Sequence, residues 1–169
     1  KLNSYTIVPL GSDTTETAEN RRIKSPSLAV AERVFCFSLA QGEMGILKIG
    51  FIGAGTVGST LALRLKEKGY RIVAVSSRTR TSADKLAQAI PGCRAVNNNQ
   101  AVADSAELVF VTTPDDAIAR VVSEVKWRPG QSVVHCSGAD STAILEPARK
   151  AGARVGAFHP LQTFASAQR

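Results

Sequence analysis

Ile46-Leu47-Lys48-Ile49-Gly50-Phe51-Ile52-Gly53-Ala54-Gly55-Thr56-Val57-Gly58 is a short apolar run that ends in a glycine-rich turn. A segment of helical character, Ser59 to Lys68, follows and stops at Gly69. Strand, glycine turn and helix stand in the order that a dinucleotide-binding site requires. Gly53 suits the tight turn. Gly55 has no Cβ, so a pyrophosphate can approach the backbone, and Gly58 lets the helix lie close to the strand. The start of that helix offers free N–H groups and the positive end of its dipole. Val57, Leu61 and Leu65 recur four apart and predict its buried face. Gly53, Ala54, Gly55, Thr56, Val57 and Gly58 are thus the expected pyrophosphate turn. The plain alternative is a glycine turn that only links strand to helix, and the flanks on both sides argue against it.

Strand and helix patterns alternate along the rest of the chain. Arg71 to Val75 reads as a second strand, and Ser82 to Ile90 as a helix stopped by Pro91-Gly92. Arg94 to Val96 reads as a short third strand, and Gln100 to Asp104 as a short helix or turn. Leu108 to Thr112 is almost continuously apolar, as a strand buried on both faces must be. Asp115 and Asp116 can cap and charge a helix through Val125, with Ile118, Val121, Val122 and Val125 on its inner face. Ser132 to Cys136, a helix over Ser141 to Ala151 that Pro147 kinks or breaks, and Arg154 to Phe158 complete the pattern. Such alternation implies an α/β fold, a doubly wound parallel sheet with right-handed crossovers. Ligands of such sheets bind beyond the C-terminal ends of the strands, so the residues just after each strand matter most.

A length of 169 residues suits one α/β domain, and 44% hydrophobic content supplies its core. No apolar run reaches membrane-spanning length. The net charge of +7 arises entirely beyond residue 43, because five basic residues before that point balance five acidic ones. The basic residues are scattered, without a tract or interleaved aromatics. This suits an anionic cofactor and a small-molecule substrate better than nucleic acid. Cys36, Cys93 and Cys136 have no metal-ligand or CxxC spacing and read as free thiols of a cytoplasmic protein.

Residues 1–27 are polar and irregular, and residues 28–40 are apolar but interrupted by Glu32 and Arg33, a poor export signal. The only methionine, Met44, stands two residues ahead of the first core strand. Residues 1–43 are therefore expected to be a disordered or non-native extension outside the fold, and residues 44–169 the nucleotide-binding domain.

An NAD site usually carries an acid at the end of the second strand to bond the ribose 2′-hydroxyl. Here the sequence is Ser76-Ser77-Arg78-Thr79-Arg80, with no acid. Ser77 and Thr79 can donate to a 2′-phosphate, Arg78 can pair with it or stack on adenine, and Arg80 is a second candidate. The expected cofactor is NADP(H). Thr112-Thr113-Pro114, after the fourth strand, are placed to line its ribose and nicotinamide side. Two further strand ends carry His135-Cys136-Ser137 and His159-Pro160. Hydride chemistry needs a proton donor or acceptor near the reacting carbon, and histidine titrates in the right range. His159 and Ser137 are the catalytic candidates, while His135 lies within its strand and reads as core. No metal site is expected.

Ile49-Gly50-Phe51-Ile52-Gly53-Ala54-Gly55-Thr56-Val57-Gly58, Ser76-Ser77-Arg78-Thr79, His135-Cys136-Ser137-Gly138-Ala139 and Gly156-Ala157-Phe158-His159-Pro160-Leu161-Gln162-Thr163-Phe164 resemble the Rossmann-like proteins with a DUF2520 domain. These are NADP-dependent oxidoreductases by assignment, related to pyrroline-5-carboxylate reductase and F420-dependent NADP reductase. The match spans about residues 46–166. Prephenate dehydrogenase is a more distant analogue, with a serine after one strand and His-Pro after the next. The resemblance implies a Rossmann-type domain that moves hydride between NADPH and a small carbonyl, imine or hydroxy compound. It also implies a C-terminal helical domain for dimerisation and substrate closure, which this sequence does not contain. A homodimer is expected only with that domain. The alternative is a non-catalytic NADPH-binding sensor or an inactive fragment.

Overall fold

In a computed structural model, residues 5–7 and 47–160 are described. Seven strands form one sheet: β1 (Tyr5–Ile7), β2 (Lys48–Ile52), β3 (Arg71–Ser76), β4 (Arg94–Ala95), β5 (Leu108–Val111), β6 (Ser132–His135) and β7 (Arg154–Pro160). Their spatial order is β1-β7-β6-β5-β2-β3-β4. Six of them, β2 to β7, run parallel, and β1 joins antiparallel at the edge of β7. The sequence pattern carries no strand at Tyr5–Ile7, because three residues are too few for a period to register. The rest of the 1–43 extension and the run from Leu161 onward lie outside the described residues.

The helices are α1 (Thr56–Glu67), α2 (Arg80–Ala89), α3 (Asn99–Ser105), α4 (Asp115–Glu124) and α5 (Glu146–Lys150), the last preceded by a 3-10 turn over Thr142–Leu145. They cover both faces. α1 and α2 pack Ala62, Ala83 and Leu86 against Phe51, Ile72 and Val75. α3, α4 and α5 pack Val102, Ile118, Val122 and Ala148 against Ile52, Val109, Val111 and Val133. Each side chain of β5 is buried, as its unbroken apolar run requires, and each contributes about 1.5–3 kcal/mol.

Three local readings are refined. The buried line of α1 is Gly58 and Ala62, flanked by half-buried Leu61 and Leu65, while Val57 is only half-buried and lies outside the core. Asp115 and Asp116 sit in the first turn of α4 and complement its dipole, but neither caps it; Pro114 holds the cap position. Pro147 stands at the start of α5, where its missing N–H costs nothing, so the expected helix divides there into a 3-10 turn and an α-helix.

The order of the parallel strands reverses between β2 and β5. The chain leaves β2 toward α1 on one face and β5 toward α4 on the other. A crevice must open above that point, and it is the place where open α/β sheets bind ligands.

Candidate functional site

The β2–α1 turn is fixed by three contacts. Gly53 N–H donates to Ser76 O at 2.8 Å, the Thr112 N–H donates to Ile52 O at 2.8 Å, and the Thr112 hydroxyl donates to Gly53 O at 2.8 Å. Gly53 has φ +113°, and a Cβ there would stand 2.6 Å from Thr112 O. Conformation and space both demand glycine at this position. A Cβ on Gly58 would stand 2.3 Å from Gly53 O and 2.5 Å from Thr112 Oγ1. Its role is therefore to let α1 approach the turn and the end of β5, more than the body of β2.

Gly55 is different. It caps α1 with φ −76° and ψ −172°, an extended conformation open to any residue. Among the described residues, a Cβ there would meet nothing within 4 Å. Neither the backbone conformation nor those residues require glycine. The helix it caps has no side-chain cap and no acid in its first turn, so no side chain of that turn neutralises its leading N–H groups and dipole end.

The opening is a cleft of about 780 Å³. Gly53, Ala54 and Gly55 form its floor with Ile52. Ser77, Arg78 and Thr79 form one wall, with Ser82 beside them, and Thr112, Thr113 and Pro114 line the other side below α4. Thr56, Val57 and Gly58 continue into α1 and do not line it, although Thr56 is exposed next to Gly55. The side chain of Thr112 is spent on Gly53. Thr113 is the opposite case: it lines the cleft, and its Oγ1 is buried with no hydrogen-bond partner among the described residues. Such an oxygen is costly to leave unpaired and fits a ligand hydroxyl or phosphate oxygen.

The structure adds cleft residues that the sequence reading passed over: Asn97, Asn98, Asn99 and Gln100 at the start of α3, and Asp116, Ala117, Arg120 and Val121 on α4. The triple asparagine after β4 was a visible signal. The α4 residues were not, since only the crossover places that helix above β5.

The second catalytic candidate is committed locally. Ser137 is buried, and its hydroxyl accepts from the N–H groups of Ala139 and Asp140 and donates to the Asp140 carboxylate at 2.8 Å. The proton that would serve a substrate oxygen is thus held in the β6–3-10 turn, and Ser137 does not line the cleft. His135 is fully buried, as its position in the strand implied. Its Nδ1 accepts from Ser137 N–H at 3.2 Å, so the ring proton of the neutral form sits on Nε2, which has no partner among the described residues. Burial holds its pKa below the usual value, opposed in part by the nearby carboxylates of Asp140 and Asp115. Burial also pushes the thiols of Cys93 up to about 11 and of Cys136 up to about 12, so neither is a nucleophile at neutral pH. His159 lies in β7 opposite Thr6 of β1. Its side chain lies outside the described part of the structure.

A cleft at the strand reversal, floored by a glycine turn and an uncapped helix start, has a family to match. The chain belongs to the Rossmann-like domain family. That family's model matches residues 40–160. The chain is similar to 2-(hydroxymethyl)glutarate dehydrogenase of Eubacterium barkeri, 32% identical over 100 residues, which are 59% of this chain and 31% of that protein. It is also similar to a Bacteroides fragilis protein assigned as an NADP oxidoreductase, with 32% identity and a TM-score of 0.63 over 73% of this chain and 47% of the other. Pyrroline-5-carboxylate reductase of Coxiella burnetii shares the fold at 22% identity and a TM-score of 0.59, over 67% of this chain and 43% of the enzyme. The chain thus spans less than half the length of each of these proteins.

Proposed function

We propose that this Rossmann-like chain is the NADP(H)-binding domain of an oxidoreductase that moves hydride between NADPH and a small carbonyl, imine or hydroxy compound. The observation that carries the reading is Gly55: a glycine with no steric or conformational need, beside unneutralised helix N–H groups, at the floor of the cleft. A diphosphate seated there would explain it. In this reading Gly53, Ala54, Gly55, Thr56, Val57 and Gly58 hold the pyrophosphate through backbone N–H groups. Ser77, Arg78 and Thr79 receive the 2′-phosphate, with no acid on that loop to repel it. Thr112, Thr113 and Pro114 line the ribose and nicotinamide side, with Thr113 Oγ1 gaining the partner it lacks. The bound cofactor supplies the hydride. The likeness to a dehydrogenase and to an assigned NADP oxidoreductase, each 32% identical, supports the redox class.

The narrower DUF2520 assignment belongs to the same proposal, as does a cytoplasmic setting, which the free Cys93 and Cys136 suit. His159 is the proposed proton carrier, at the end of the last parallel strand. Ser137 contributes by shaping the neighbouring turn. Substrate selection and dimerisation fall to the helical domain expected in longer relatives. The committed Ser137 proton favours a second reading, a non-catalytic NADPH-binding sensor.

Calorimetric titration with NADPH and NADH tests the cofactor assignment. Arg78→Ala should weaken NADPH by about 1.5–3 kcal/mol and leave NADH unchanged. Equal loss for both would remove the 2′-phosphate assignment. An NADPH-oxidation screen with imines and ketones, using this chain and a version carrying the helical domain, separates the readings. Turnover in the longer form supports the enzyme, and tight binding without turnover in either supports the sensor.

A further inference from the structure

Arg80 stands one residue past the loop of Ser77, Arg78 and Thr79, at the first position of α2. Its side chain is 54% exposed, yet it does not line the cleft. Its Nε donates to both carboxylate oxygens of Asp84, at 2.9 and 3.1 Å, one turn along the same helix. Its Nη1 donates to Oδ1 of Asn97, which belongs to a separate segment of the cleft rim, the β4–α3 loop. A second bridge ties β3 to the first residue of α3, just past that loop: the Ser76 hydroxyl donates to Asn99 Oδ1 at 2.8 Å. Asn98, between them, accepts from Ala101 N–H and caps α3, which holds the β4–α3 loop to its helix. Arg78, by contrast, is exposed at the cleft and makes no hydrogen bond or ion pair among the described residues.

We infer that Arg80, Asp84 and Asn97 form a clasp that joins the β3–α2 and β4–α3 loops, and that Asn97 and Asp84 thereby set the preference for a 2′-phosphorylated dinucleotide without touching it. The inference rests on the cofactor reading above. The physical reason is preorganisation. The segment from Ser77 to Thr79 is anchored at Ser76 on one side and at Arg80 on the other, so it meets a phosphate already ordered. Without the clasp, ordering that loop is charged against binding. The loop is placed to contact the 2′-phosphate, so the loss falls more on NADPH than on NADH. Asp84 also balances the charge of Arg80, which leaves Arg78 as the discriminating cation. Arg80 is thus a positioning residue.

Asn97→Ala removes the bridge without changing charge. NADPH should bind about three- to tenfold more weakly to this variant, with a smaller loss for NADH, so that the NADPH/NADH preference falls. Amide hydrogen exchange across residues 77–82 of the cofactor-free protein should accelerate. The double variant Arg80→Ala/Asn97→Ala should lose no more than Arg80→Ala alone, because the two residues share one bond. Asp84→Ala should also weaken NADPH. Circular dichroism and thermal melting establish that each variant is folded, Arg80 and Asn97 being exposed and Asp84 half-buried. Wild-type affinity and exchange in Asn97→Ala would overturn the clasp. Tighter NADPH binding by Asp84→Ala would overturn it too, since that result marks Arg80 as a phosphate ligand released from its carboxylate. If the unaltered chain binds no NADPH, the cofactor reading fails and the specificity role falls with it. The exchange rate of residues 77–82 in Asn97→Ala still reports whether the clasp holds the loop.

Discussion

Gly55 and Gly58 are three residues apart and obey different constraints. At Gly58 a Cβ collides with the protein itself; at Gly55 it would enter open space. The difference separates a glycine that the fold requires from one that the fold does not require and that the proposed reading assigns to a ligand. Gly55 occupies the N-cap of α1, where Asp is among the best residues and also complements the helix dipole. Gly55→Asp should therefore leave stability unchanged or raise it by a few tenths of a kcal/mol in urea unfolding. NADPH affinity should fall at least about tenfold, because a carboxylate then stands where the diphosphate is proposed to lie. Unchanged affinity in a folded Gly55→Asp variant would remove the pyrophosphate assignment. Thr113, a cleft residue, holds a buried hydroxyl oxygen with no partner among the described residues, and the proposed reading would assign it one from a ligand. The glycine spacing was legible in the sequence. Which glycine served which purpose was not, because the colliding atoms of Thr112 come from 54 residues downstream of Gly58.

Elements here are terminated by local chemistry and positioned by distant contacts. The limits of β3, β5, β6 and α2 were readable within a residue or two, since Pro, Gly and Asn punctuate the apolar runs. Two helices departed from pattern for identifiable reasons. α1 buries small residues, Gly58 and Ala62, where large-residue periodicity points to Val57, because the helix comes close to the Gly53 turn and to Thr112 at the end of β5. The last helical segment divides at Pro147. Gly58→Ala tests the first point. Its Cβ would press on backbone at Gly53 and on the Thr112 side chain, with no flexible atom to yield. The expected loss is about 1–3 kcal/mol in urea unfolding, the usual cost of overpacking. A loss below about 0.5 kcal/mol would mean that the turn relaxes freely, and that Gly58 has no packing role. The edge strand β1 was beyond reach of pattern reading, for its partner Phe158–Pro160 lies some 150 residues away and only the sheet brings them together.

At the scale of the whole molecule, the crossover from one face of the sheet to the other collects residues from the ends of β2 and β3, the segment after β5, the start of α3 and the length of α4 into one cleft. It also buries His135 beneath the β6 turn. The folded pKa of His135 lies below its ordinary 6.5. Between those two values the unfolded chain binds a proton that the folded protein refuses, so stability falls as pH drops through that window. Protonating Nδ1 would also set its new hydrogen against the Ser137 N–H. Urea unfolding between pH 7 and pH 5 should show this loss, and His135→Gln should flatten that part of the curve whatever its effect at pH 7. An equal slope in both proteins would assign the acid sensitivity to other groups. The sequence by itself determined the α/β alternation, the glycine turn and the missing acid after β3, because period, backbone freedom and charge are local properties. Only the tertiary structure decided which groups face the cleft. It placed Arg80 against Asp84 and Asn97, closed the Ser137 proton into a turn and left the Thr113 hydroxyl without a partner among the described residues, because hydrogen-bond partners are assigned by distance in space and not along the chain.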